Sequence, residues 1–168
     1  MKHIRSYQYI LPGTIVFSIF LMLIGICIGD ASEILPGLWK IVTMQDLLIR
    51  DYIDIAGPAA AFVNAGLVTI ISICLIWLAK DPFNGFTIVE MGLMAGFSLF
   101  GKNIVNIWAI MAGVVLYAKY HGTSLKRYLY VGLYGTSLSP IMTQMMHIGK
   151  FPAPVCLMLS LLLGLAIG

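Results

Sequence analysis

Long apolar runs alternate with short polar connections along this chain, and the runs are too uniformly apolar to be the stripes of surface helices. They cover residues 10–29, 55–79, 86–100, 104–118, 128–146 and 151–168. A helix rises about 1.5 Å per residue against a hydrocarbon core of about 30 Å, so the first two are long enough to cross a bilayer. The third and fourth reach only about 22 Å each on the same rise, so they are thin spans or re-entrant segments. The alternating ten-residue segments of a membrane barrel do not occur. The pattern predicts an all-α fold: a polytopic transmembrane helix bundle of about six membrane segments, two of them short enough to be re-entrant. It forms a single membrane domain over residues 1–168.

The polar connections add detail. Residues 36–52 mix Leu38, Trp39, Ile41 and Leu47 with Lys40, Asp46, Arg50 and Asp51. That composition predicts a helix lying at the membrane interface with Trp39 as its anchor; the alternative is an external lid. Asn84-Gly85 is turn chemistry leading into the third segment. Gly57-Pro58 loosens the start of the second, because proline lacks the N–H that a helix needs. Gly135, Thr136, Ser137, Ser139 and Pro140 interrupt the fifth. Small residues recur four apart at Gly25/Gly29, Gly92/Gly96 and Gly164/Gly168, a spacing that lets helix backbones approach closely in lipid. The chain stops inside an apolar run, "LLLGLAIG", so it is expected to be part of a longer protein, or a half that pairs with another half or a second copy.

Composition agrees with the membrane reading. The chain is 60% hydrophobic and 10% charged, against about 25% charged in soluble domains. The net charge of +3 comes without a basic cluster among aromatics, so no nucleic-acid partner is indicated. Cys27, Cys74 and Cys156 each lie alone in an apolar run, which excludes a disulfide framework and a zinc site. Walker A, HExxH and GxSxG motifs are absent. Lys2, His3 and Arg5 precede a run too long for a cleaved signal, so the first helix is expected to be retained. Lys2, Arg5, Lys80, Lys119, Lys126 and Arg127 fall on one side of the expected topology. Lys40, Arg50, Lys102 and Lys150 fall on the other. The bias favours a cytoplasmic N-terminus.

The chemistry lies in the polar residues held in apolar surroundings. If the third and fourth segments are half-helices, Gly101 suits a C′ position and Asn103 an N-cap, with Lys102 complementing the dipole of the third segment. An electropositive pocket results, suited to an anion or to the carbonyls of a polar solute. The competing reading is a tight external turn whose lysine reaches water. Asn106 shares a helix face with Asn103, and Ser139 lies in the second interrupted segment. Lys102, Asn103, Asn106 and Ser139 are the candidate substrate contacts, and Glu90 the candidate ion or proton partner. Asp51 and Asp54 lie together at one entrance, without the second motif an aspartyl protease needs. Met142, Met145, Met146 and His147 could hold Cu(I), but methionines at that spacing are core packing far more often. No catalytic residue, metal or cofactor is expected.

Three stretches, "DYIDIAGPAAAFVNAGL", "DPFNGFTIVEMGLMAGFSLFGKNIVNIW" and "GVVLYAKY", resemble the uncharacterised bacterial membrane proteins grouped as domain-of-unknown-function family 1576, found mainly in Firmicutes. The resemblance covers nearly the whole chain. It implies the bacterial cytoplasmic (inner) membrane and a longer parent protein with a related second portion. It implies no activity, so no functional residue carries over. The residues themselves lead to a permease or channel-like protein moving a small polar or anionic solute or ion. The alternatives are a non-transporting scaffold or assembly subunit, and a membrane enzyme using Asp51, Asp54 and His147.

Overall fold

The computed structural model describes residues 9–44, 51–148 and 151–168. The charges at Lys2, Arg5, Arg50 and Lys150 and the side chains of Met142, Met146 and His147 lie outside the described residues. The fold is all-α, without a strand among the described residues. Its helices are α1 (Ile10–Ile28), α2 (Ile34–Thr43), α3 (Tyr52–Leu78), α4 (Gly85–Phe97), α5 (Ile107–Tyr120), α6 (Leu129–Gly135), α7 (Ser139–Ile148) and α8 (Ala153–Ile167). By length and composition α1 and α3 are each able to cross a membrane.

Helix α3 is the spine. Antiparallel α1 lies along it where glycines remove the intervening side chains. A Cβ on Gly25 would sit 2.7 Å from the Ala59 carbonyl oxygen, and one on Gly66 would sit 2.8 Å from that of Ser18. The polar residues of α1 are absorbed locally: Thr14 donates to the Leu11 carbonyl and Ser18 to that of Thr14. Helix α3 breaks at Gly57, whose φ of 81° and ψ of 158° are open to glycine but strained for other residues. Pro58 follows, as its missing N–H requires. A short piece, residues 52–56, is thereby set off from residues 58–78. Asp51 caps this piece by accepting the Ile53 N–H at 2.8 Å.

Helix α2 differs from the expected interfacial helix over 36–52. It starts at Ile34, ends at Thr43, and packs on the break in α3. Gly37 meets the Ala60 methyl and the Ala56 carbonyl, where a Cβ would clash. Lys40 Nζ reaches across to the Ile55 carbonyl at 2.6 Å, an acceptor at the end of the short piece. Trp39 points outward. Ile41, Tyr52, Ala56, Ala60 and Ala61 form a small core here, with Leu99 against it.

Helix α4 packs beside α3 and rises to a tip from which α5 returns; α6 packs against both arms of this splayed hairpin. The start of α4 is fixed by a reciprocal cap. Asn84 Oδ1 accepts the Phe86 N–H, and the Asn84 N–H donates to Thr87 Oγ. From Gly85 the helix climbs about 20 Å. It ends at a tight turn in which the Phe97 carbonyl accepts from both Phe100 and Lys102. Gly101 takes φ 115°, but in the turn three residues past the Ser98 C-cap and not at the expected C′ position. The turn is pinned to α3 at mid-length, because Asn64 Nδ2 donates to the Ser98 and Lys102 carbonyls at 2.8 and 3.0 Å. The tip also reaches the short piece beyond the break, where the Tyr52 N–H meets the Leu99 carbonyl.

The remaining helices close the bundle. Helix α8 runs parallel to α5 at backbone contact: a Cβ on Gly164 would clash with the Ile110 carbonyl oxygen, and one on Gly113 with that of Leu161. The expected interruption of the fifth run is a single 3-10 turn, Thr136–Leu138, between α6 and α7. Pro140 is not its cause, since it sits in the first turn of α7, where proline fits. Gly92 and Gly96 differ from the expected packing face: a Cβ at either would meet nothing within 4 Å among the described residues. The main core, Val68, Ile76, Met91, Met94, Met111, Leu129 and Leu133, joins α3, α4, α5 and α6.

Candidate functional site

The hairpin tip gathers polar groups that the sequence scatters over ninety positions. Asn103 Oδ1 accepts the Val105 and Asn106 N–H groups, both at 2.9 Å, and so caps the turn leading into α5. Asn106 closes the turn from the other side. Its Nδ2 donates to the Gly101 carbonyl at 2.8 Å, while its Oδ1 accepts the Asn103 N–H at 3.0 Å. Ser139, at the start of α7, donates to the same Asn106 oxygen at 2.9 Å. The second interrupted helix therefore meets the tip of the hairpin. Tyr52, 1% exposed, covers the tip from the opposite side. Its N–H donates to the Leu99 carbonyl at 3.0 Å, and its hydroxyl accepts from Asn103 Nδ2 at 3.4 Å.

Lys102 is 1% exposed. The external-turn reading fails for that reason, and Lys102 drops out of the count of charges outside the bundle. Its ammonium does not complement α4 either. It donates to Met94 Sδ at 3.1 Å and to the Leu133 carbonyl near the C-terminal end of α6 at 3.5 Å. It also faces the Phe97 ring, 5.4 Å from the centroid. A thioether, a carbonyl and a ring face are modest partners for a buried charge.

Glu90, one turn below Met94 on the same face of α4, is 6% exposed. Its Oε1 has no hydrogen-bond partner. It lies within electrostatic reach of Lys102, but the hydrogen bonds of the ammonium go to Met94 and Leu133. Thus Asn103, Asn106 and Ser139 share one hydrogen-bond network, whereas the Lys102 ammonium rests on Met94 and Leu133, on the side of Glu90. The N–H groups that Asn103 and Asn106 Oδ1 occupy, those of Asn103, Val105 and Asn106, belong to the turn before α5, whose own start at Ile107 carries no side-chain cap.

Four contributors were not among the expected site residues. Asn64, fully buried, ties the tip to α3, and its Oδ1 is left without a partner. Tyr52 is the cover. Thr87 and Tyr130 join hydroxyls at 2.7 Å below Glu90. The only signal for them was a polar atom in an apolar run, and Asn64 alone carried it.

The other candidates do not assemble into a site. Asp51 and Asp54 are exposed, and Asp51 is engaged as a cap. No group of three His, Cys, Asp or Glu side chains able to hold a metal occurs among the described residues. An apolar groove of about 570 Å³ between α1 and α4 is lined by Tyr9, Gly13, Phe17, Ile88 and Met91. A more polar one of about 290 Å³ lies at the α3 break, beside Glu33 and Lys40. Neither is lined by Lys102.

No curated protein and no solved structure matches the chain. A family model does, over residues 30–168, from the cap of the turn before α2 to the last residue. The chain belongs to the family described as Protein of unknown function (DUF1576).

Proposed function

We propose that this is a multi-pass membrane protein of permease or channel type, acting on a small polar solute or ion at the hairpin tip. The observation that carries this reading is the pair of buried ionisable side chains, Lys102 at the hairpin tip and Glu90 below it on α4. Ionised groups deep in an apolar bundle are expensive, and packing does not need them. Short or interrupted helices that meet at mid-depth are the usual surroundings of a transport site. The outer surface supports membrane embedding: Val16, Phe20, Leu23, Ile88, Val89, Leu157 and Leu162 all face outward. In a bilayer, α4 and α5 form a re-entrant hairpin, since about 20 Å of helix does not cross a core of about 30 Å. Lys102, Asn103, Asn106 and Ser139 contact the solute, and Glu90 is the ion or proton partner. The membrane is the bacterial inner membrane, with the N-terminus in the cytoplasm. A second copy or a homologous half completes the assembly.

The test is thiol labelling of Asn106→Cys in a background lacking Cys27, Cys74 and Cys156, with Lys40→Cys as the exposed control. The transport reading expects slow labelling by a small membrane-impermeant reagent from at least one side. A scaffold reading is favoured by one observation, the near-complete sealing of Lys102. It expects no labelling from either side, and that result would remove the transport reading.

A further inference from the structure

The tip does not stand alone. Toward the face carrying Lys80 and Asp81, the seam between α4 and α6 holds further polar groups. Thr87 is fully buried and shares a hydrogen bond with the Tyr130 hydroxyl. Tyr130 lies within electrostatic reach of both Asp81 and Glu90. Thr87, Glu90 and Met94 follow one another at three- and four-residue spacing, hence on one face of α4. Lys102 rests on Met94. Asp81, Tyr130, Thr87, Glu90 and Lys102 thus make a polar line through a seam otherwise packed with Met91, Met94, Leu129 and Leu133.

Along that line the shortage is of donors. The N–H groups of Asn103, Val105 and Asn106 are taken, and the Lys102 ammonium is directed to sulfur and a carbonyl. Glu90 Oε1, in a side chain more than nine-tenths buried, has none. A buried carboxylate oxygen without a donor is costly, and the smallest ligand that relieves it is a proton. The charged groups around Glu90 are few. The tip supplies Lys102, and α6 supplies Tyr130 with Asp81 beyond it. The described part of α1 carries no charged residue, and the charged residue of α3, Asp54, lies at the far end.

We propose, resting on the transport reading, that Glu90 is a proton-binding site loaded from the Asp81 face, with Lys102 as its counter-charge. One proton leaves water at that face and one O–H bond forms at the Glu90 carboxylate, cancelling its charge. The Lys102 ammonium is then uncompensated, and the tip becomes a net positive centre. Loss of the proton restores a neutral pair. Proton binding and anion binding at the tip therefore favour one another, and linkage makes the coupling reciprocal.

The chain contains two glutamates, Glu33 and Glu90. In this 168-residue chain carrying Glu33→Gln and ¹³C-carboxyl glutamate, Glu90 is the single labelled glutamate. Infrared difference spectra of this protein in lipid nanodiscs, recorded across a pH series, read its protonation directly. The expected result is a labelled carboxylic-acid band that appears as pH falls, is lost in Glu90→Gln and shifts its midpoint in Lys102→Met. A labelled signal unchanged across the series overturns the proposal, and this arm needs no substitution at Glu90. If Glu90 titrates while position 106 stays inert to thiol reagents, the transport reading fails and the proton site stands. If position 106 labels and Glu90 does not titrate, the reverse holds.

Discussion

Asn103 shows how one side chain decides the local chain path. Its carboxamide oxygen holds two N–H groups that would otherwise be unpaired in an apolar bundle, and its Nδ2 holds Tyr52 over them. Replacing it with alanine is expected to destabilise the fold by about 1–2 kcal/mol, at the upper end of cap losses. Chemical unfolding in detergent micelles measures this. Asn103→Asp keeps the acceptor and is expected to cost less. This role could be read from residue type, because an asparagine after a glycine at a helix end is cap chemistry. The partners could not. Tyr52 and Asn64 lie 51 and 38 residues from the groups they bind, and no local pattern encodes such a distance.

At the scale of elements, the apolar runs marked the helices well, since burial and helix length are both written in runs of hydrophobic residues. Glycine spacing marked contact only in part. Gly25 and Gly164 lie in tight crossings and Gly92 does not, though all three sit in similar four-residue patterns. Spacing shows that a close approach is allowed; whether a partner arrives depends on topology. The contrast can be tested. Gly164→Ala pushes a methyl into the Ile110 carbonyl and is expected to cost about 1–3 kcal/mol, as overpacking does. Gly92→Ala enters open space and is expected to be neutral or to gain up to about 1 kcal/mol from helix propensity. Thermal unfolding of the two variants side by side reads the difference. The break between α6 and α7 was visible as a cluster of small hydroxyl residues. Its form was not, because Thr136 stabilises the 3-10 turn by bonding to the Leu133 carbonyl, a choice that depends on rotamer.

For the whole molecule, the direction of each helix sorts the described charges cleanly. Lys80, Lys119, Lys126 and Arg127 flank the ends of α3, α5 and α6 on one face, and Lys40 lies at the opposite end beside the α3 break. With Lys102 buried, the charge bias is stronger than the sequence alone suggested. Cysteines at positions 80 and 126 are expected to label from the cytoplasmic side, and one at position 40 from the other side. Labelling of positions 40 and 80 from the same side would sink the topology. The contact between α5 and α8 has a mechanical consequence. Gly113 and Gly164 bring the two backbones together, so α5 cannot shift without carrying α8 with it. The outer flank of α4 meets no neighbour at Gly92 or Gly96. The hairpin thus has one arm locked backbone to backbone on α8 and one, carrying Glu90, held through the side-chain packing of Met91 and Met94.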